Sequence, residues 1–153
     1  MTLEAARAED GRARDSQPGR EGDGIAHPNV DLLNQGYDAF EKGDLETIRG
    51  LFTDDVVFHV PGRSKLAGDK RGNDEVLGFF GELVQLSDGT FKIDRHAVIA
   101  DDEHGAVLST TSAQRGDASF SVKTVDTFHF RDGKVSECWT FADDQYAEDQ
   151  FWG

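Results

Sequence analysis

The chain has a single cysteine, Cys138, in 153 residues. No disulfide can form within it, so a reducing, cytoplasmic compartment is the expectation. Basic residues are scarce as well: 16 Lys and Arg stand against 30 Asp and Glu, a formal net charge of −14. Nucleic-acid binding draws most of its affinity from clustered Lys and Arg, and docking on anionic lipid needs the same charge. Neither partner is expected. No apolar run is long enough to span a bilayer, and the N-terminus lacks the apolar stretch of a secretory signal. No Cys/His cluster has zinc-site spacing, so no metal is expected. Large apolar groups are sparse in residues 1–26, which are charged and Gly-rich. Such a stretch buries too little surface to offset its ordering entropy and reads as a disordered tail. Residues 27–153 then form one domain.

That domain opens with helical periodicity. Pro28 suits a first helical position and Asn29 can cap, after which Val30, Leu33, Tyr37 and Phe40 recur at steps of three and four. Gly43 ends this helix, and Asp44 can cap a short second one buried through Leu45, Ile48, Leu51 and Phe52. The run "VVFHV", bounded by Pro61-Gly62, reads as a strand, and "GRSKLAGDKRG" as a loop. A third helix starts near Asn73, with Val76, Phe79, Phe80, Leu83 and Val84 as its apolar stripe. Beyond Gly89 four β-runs follow, over 90–100, 106–114, 119–130 and 134–141, the last two joined by the hairpin signal Asp132-Gly133. Three helices with one strand among them, then an antiparallel meander, make an α+β pattern.

One residue interrupts the third β-run. In "TVDTFHF" Asp126 shares its parity with Phe120, Val122, Thr124, Phe128 and Phe130, a carboxylate on a mostly apolar strand face. A regular hairpin through Asp132-Gly133 sets Phe130 opposite Val135, Phe128 opposite Glu137, Asp126 opposite Trp139 and Thr124 opposite Phe141. Asp126 would then be desolvated against Trp139, which raises a carboxyl's pKa and suits it to act as a general acid or an oxyanion donor. The competing reading is a carboxylate satisfied by backbone or by Tyr37. Glu137 becomes its diagonal neighbour, a second carboxyl for the same cavity or a solvated rim residue. The opposite face, with Val125, Thr127, His129, Ser136, Cys138 and Thr140, is nearly uncharged and expects a cover, such as a second copy of the chain.

The stretch "YDAFEKGDLETIRGLFTDDVVFHVPG", with "GDKRGNDEVLGFF" and "DTFHFRDGKVSECWTFADDQYAEDQFW", resembles the nuclear transport factor 2-like superfamily and its SnoaL-like branch. The resemblance implies a cone: a curved antiparallel sheet wrapped around three N-terminal helices, with an apolar pocket at its mouth. It implies no cofactor, a small apolar ligand and a homodimer. Polyketide cyclases, ketosteroid isomerases, epoxide hydrolases, dehydratases and non-catalytic binding modules share the fold. "VDTFHF" is similar to the ketosteroid isomerase strand that carries a protonated aspartic acid, which maps onto Asp126. That enzyme's base position is occupied here by Val60, and its tyrosine position by Gly36, next to Tyr37. The implied activity is therefore cofactor-independent acid/base chemistry of the cyclase, isomerase or dehydratase kind. Asp126 is the expected catalytic group, and Tyr37, Phe58, Val60, Glu137, Trp139 and Phe141 the expected substrate contacts. The alternative is a ligand-binding or dimerisation module without chemistry. His59 and His96 read as structural histidines, Arg115 as a turn residue, and Arg63, Lys65, Lys70 and Arg71 as a solvated basic loop. Phe151 and Trp152 are costly to expose, so the C-terminus should dock on a barrel.

Overall fold

In the computed structural model, which describes residues 27–153, the helical start is set by a cap one residue before the proline. His27 accepts the Asn29 amide on its Nδ1 at 3.0 Å, and Pro28 takes the first helical position of α1 (Pro28–Lys42). Asn29 is thus inside the helix and buried, its amide donating to the Asp101 carbonyl at 3.0 Å. Gly43 closes α1 in the left-handed conformation, φ 72°. Asp44 then caps α2 (Leu45–Leu51) by accepting from the Thr47 amide. The expected tail over residues 1–26 lies outside the described residues.

The first strand, β1 (Phe52–Val60), starts at the end of α2, earlier than the apolar run alone indicates. The expected loop after it contains a short strand, β2 (Gly68–Arg71), paired antiparallel to β1. Helix α3 (Gly72–Leu86) follows, then β3 (Lys92–Ala100), β4 (His104–Arg115), β5 (Ala118–Arg131) and β6 (Lys134–Ala142). A fourth helix, α4 (Gln145–Trp152), was not expected as such; Asp144 caps it through the Ala147 amide. The sheet is open and six-stranded, in the order β2-β1-β6-β5-β4-β3, with β1 and β6 parallel and every other pair antiparallel. Among the described residues no helix is long and apolar enough to cross a membrane.

The hairpin between β5 and β6 corrects the expected register. Asp132 and Gly133 both have positive φ, the two-residue turn their identities favour, and Phe130 does pair with Val135. Ser136 is then an extra residue in β6, a bulge whose hydroxyl donates to the His129 carbonyl at 3.2 Å. Beyond it His129 faces Glu137, Phe128 faces Cys138 and Asp126 faces Thr140. One inserted residue moves every later side chain to the other side of a sheet. Cys138 and Thr140 therefore join the inner face, while Glu137, Trp139 and Phe141 turn outward.

Two apolar clusters fill the space between helices and sheet. One gathers Leu33, Ile48, Val56, Val76, Phe128 and Val135; the other gathers Leu66, Phe79, Phe120, Phe151 and Trp152. Phe40 and Phe80 touch both.

Candidate functional site

Between the two clusters the inner sheet face and the helices enclose a cavity of about 150 Å³. Its walls are mostly aromatic. Phe40 and Phe80 meet edge to face at 5.5 Å, Phe58 and Phe80 at 5.4 Å, and Phe40 and Phe91 at 5.9 Å. The polar lining is a small set: Tyr37 from α1, His59 from β1, Ser64 from the loop after it, Thr111 from β4, Thr124 and Asp126 from β5, Thr140 from β6, and Gln145 and Glu148 from α4.

Asp126 is part-buried in this wall and held by two hydroxyls. Tyr37 donates to Oδ2, and Thr140 donates to Oδ1 at 2.7 Å. Burial pushes the carboxyl's pKa up from its ordinary value, while the two hydrogen bonds pull it back by favouring the ionised form. Burial and the neighbouring Asp126 charge raise Tyr37 well above the usual phenol range, so it stays a donor. Thr111 and Thr124 share a hydrogen bond of 2.9 Å further along the same wall.

Glu148 is the second carboxyl, and reasoning from the sequence missed it. Burial, then the charges of Asp126 and Asp149, push it up to about 7, with the Trp152 indole pulling the other way. Its position is fixed by how α4 docks. Phe151 and Trp152 are buried. Arg115 donates to the Phe151 carbonyl at 2.6 Å and to the Leu86 carbonyl at 2.7 Å, and its guanidinium lies over the Phe151 ring at 4.4 Å. Arg115 is therefore the clamp that ties α4 to the end of α3, where the sequence suggested only a turn. At the other end the Gly153 carbonyl accepts the Lys65 amide, and Asp149 accepts the Arg63 amide at 3.1 Å. Gly62 permits this approach: a Cβ there would lie 2.2 Å from Asp149 Oδ1. A signal for Glu148 was available, since it precedes Phe151 by three and Trp152 by four and so shares their helical face.

Of the expected contacts, Tyr37, Phe58 and Val60 line the cavity together with Asp126. Glu137, Trp139 and Phe141 do not, because the Ser136 bulge sends them outward. There Glu137 joins His59 in an ion-pair cluster. His59 meets Glu137 at 2.7 Å and Asp69 at 2.8 Å, and stacks on Trp139 with centroids 4.8 Å apart. His129 approaches Glu137 at 3.4 Å. Burial lowers the His59 pKa, but its two carboxylate partners outweigh that and leave it raised. A hollow of about 410 Å³ lies over this outer surface, bordered by His104, His129, Trp139 and Phe141. No carboxyl lines it, whereas the inner cavity carries two shifted acids. His96 bonds Thr110 at 2.8 Å, away from the cavity. Arg63, Lys65, Lys70 and Arg71 are absent from the cavity wall. Among the described residues no group of acids, histidines or cysteine is arranged to hold a metal ion.

The comparisons with known proteins agree with this architecture. A Mycobacterium tuberculosis protein, itself uncharacterized, is 28% identical over 126 residues, 81% of this chain and 95% of its own length. The structure of Bal32a, from a soil-derived mobile gene cassette, superposes with a TM-score of 0.79 at 33% identity, covering 82% of this chain and 97% of that one. TerC, co-crystallized with polyporic acid, shares the fold at 21% identity and a TM-score of 0.70, covering 82% of this chain and 99% of its own. The SnoaL-like domain model matches residues 33–138, and the chain belongs to the SnoaL-like domain family.

Proposed function

We propose that this protein is an acid/base enzyme of the isomerase, cyclase or dehydratase kind, acting on a small and mostly apolar molecule held in the inner cavity. The observation that carries the reading is the pair of carboxyls, Asp126 and Glu148, on the wall of one aromatic cavity with different surroundings. Different surroundings can give two carboxyls different parts, one as acid and one as base. Asp126, whose two oxygens accept hydroxyl hydrogens that favour its ionised form, serves as the base. Glu148, at about 7, retains a proton to give. This reverses the part that the sequence suggests for Asp126. In the elementary step the Asp126 carboxylate takes a proton from the carbon beside a carbonyl, while Glu148 gives its proton to the carbonyl oxygen. The product is an enol. Return of the proton from Asp126 to a different carbon, with the enol proton going back to Glu148, completes an isomerisation.

The test is deuterium incorporation from heavy water into enolisable cyclic ketones, read by mass spectrometry. The full chain should accelerate exchange, and Asp126→Asn should lower the rate by roughly a hundredfold or more. Undiminished exchange in Asp126→Asn sinks the assignment. The rival reading, a binding module without chemistry, draws on Val60 and Gly36 standing where the isomerase has its base and tyrosine. It predicts no exchange above buffer and ligands recovered unchanged.

A second copy of the chain is our proposed cover for the outer sheet face. Ile99 is 60% exposed and Phe141 58% exposed there, with Leu108 beside them, too apolar a surface to leave in water. Sedimentation equilibrium should give a dimer mass that Phe141→Glu reduces to a monomer. A monomeric parent protein removes this proposal.

A further inference from the structure

The cavity also restricts what can enter it, and the restriction follows from three observations. The first is size. An apolar cavity of about 150 Å³ in another protein holds one benzene molecule, and the space enclosed here is also about 150 Å³. The second is shape and surface. Phe40, Phe58, Phe80 and Phe91 supply ring faces and edges on the apolar side. On the other side the polar groups form one stripe. Asp126 and Thr124 both face inward two residues apart on β5, which separates them by roughly 7 Å. Thr111 and Thr124 satisfy each other with a single shared hydrogen, so one of the two hydroxyls keeps a hydrogen for an acceptor in the cavity.

The third observation is charge. Two carboxyls face the cavity, no Lys or Arg lines it, and the one histidine on its wall, His59, is already paired with Asp69 and Glu137. None of the four basic residues of the 61–71 segment lines the cavity; Arg71 pairs with Asp69 at 3.0 Å, and the Lys70 ammonium lies 5.6 Å from the Phe79 ring centroid. An anionic ligand would lose its hydration and meet two carboxyls, with the one histidine of the wall already committed to carboxylates.

Resting on the acid/base reading of Asp126 and Glu148, we infer that the substrate is an uncharged molecule of a single ring with oxygen on one edge, of the phenol or cyclic enone class. The ring lies among the phenylalanines, and the oxygen-bearing edge faces the stripe from Thr140 and Asp126 to Thr124 and Thr111. Fused three-ring molecules and carboxylates are rejected, the former by volume and the latter by charge.

Calorimetric titration of the full chain with phenol, cyclohexenone, benzoate and anthrol tests this. Phenol and cyclohexenone should bind saturably, one per chain, with benzoate and anthrol at least about tenfold weaker. Phe80→Ala should open the aromatic wall and bring anthrol up by about tenfold, leaving benzoate weak. If that variant does not fold, Phe80→Leu provides a smaller enlargement and a smaller gain. Benzoate or anthrol binding as well as phenol overturns the inference, as does the absence of saturable phenol binding. The two readings fail separately. Ring binding retained without deuterium exchange sinks the acid/base reading and leaves the ligand class standing. Exchange catalysed only in fused-ring ketones does the reverse.

Discussion

The two faces of one sheet hold a carboxyl each, only a strand apart, and treat it in opposite ways. On the inner face Asp126 has hydroxyls for partners, Tyr37 and Thr140, and an apolar cavity in front of it. On the outer face Glu137 has histidines, His59 and His129, and the edge of Trp139 nearby. A hydroxyl steadies a carboxylate without neutralising it, which on our proposal leaves Asp126 able to exchange a proton with a third party. A histidine bonded to Glu137 takes up its charge directly once protonated, and that carboxyl is committed to its neighbours. Desolvation alone does not make a reactive acid; the kind of partner decides what the acid is free to do.

The sharpest way to break this comparison is to remove each carboxyl in turn. Asp126→Asn should abolish most of the exchange activity, by a factor of roughly a hundred to ten thousand, whereas Glu137→Gln should leave the rate within about twofold. A comparable loss from Glu137→Gln would show that the outer cluster takes part in the chemistry.

Stability against pH should separate the inner acids next. Glu148 is raised from its ordinary value to about 7, so the folded state holds its proton more tightly than the unfolded chain does. That contribution is fully present below pH 4.5 and is lost as pH rises through about 7, by at most about 3 kcal/mol. Glu148→Gln should therefore raise the melting temperature at pH 8 relative to the parent and flatten the profile between pH 5 and 8. An unchanged profile would mean that Glu148 is better solvated than its position indicates.

A smaller effect should follow from taking away one hydroxyl. Tyr37→Phe removes a donor that favours ionised Asp126, so the Asp126 pKa should rise further, visible in carboxyl-carbon NMR. The acid limb of the exchange profile should move to higher pH with it. A fall in the Asp126 pKa would contradict the assigned hydrogen bond. The smallest effect belongs to the outer cluster. The raised His59 contributes stability that is present below its ordinary value of 6.5 and is lost as pH rises through its folded value. Its proton NMR titration should have a midpoint above 6.5, and Glu137→Gln should lower that midpoint.

Most of the element list was legible because the signals were local. Val30, Leu33, Tyr37 and Phe40 mark α1, Gly43 and Asp44 punctuate it, and Asp132-Gly133 specifies a turn whose backbone needs positive φ at both residues. Asp126 was legible for the same reason, since one charge in a period-two apolar pattern is visible without a fold. Tyr37, Phe58 and Val60, the contacts expected from the sequence, lie at the cavity wall, and His59 between the last two lies there as well.

What surrounds Asp126 was not legible. In "KVSECWTF" Val135, Trp139 and Phe141 share one parity and Cys138 takes the other, an alternation that reads as a regular strand, so nothing in its pattern discloses the extra residue at Ser136. The sequence by itself determined the helices, the strands and the single acid of the inner face, because periodicity, caps and turn residues act over a few neighbours. Only the tertiary structure decided that Thr140 rather than Trp139 stands beside Asp126, and that Arg115 clamps α4 so that Glu148 faces the same cavity. Those outcomes depend on a one-residue slip between strands and on contacts between groups more than thirty residues apart, and neither leaves a local trace.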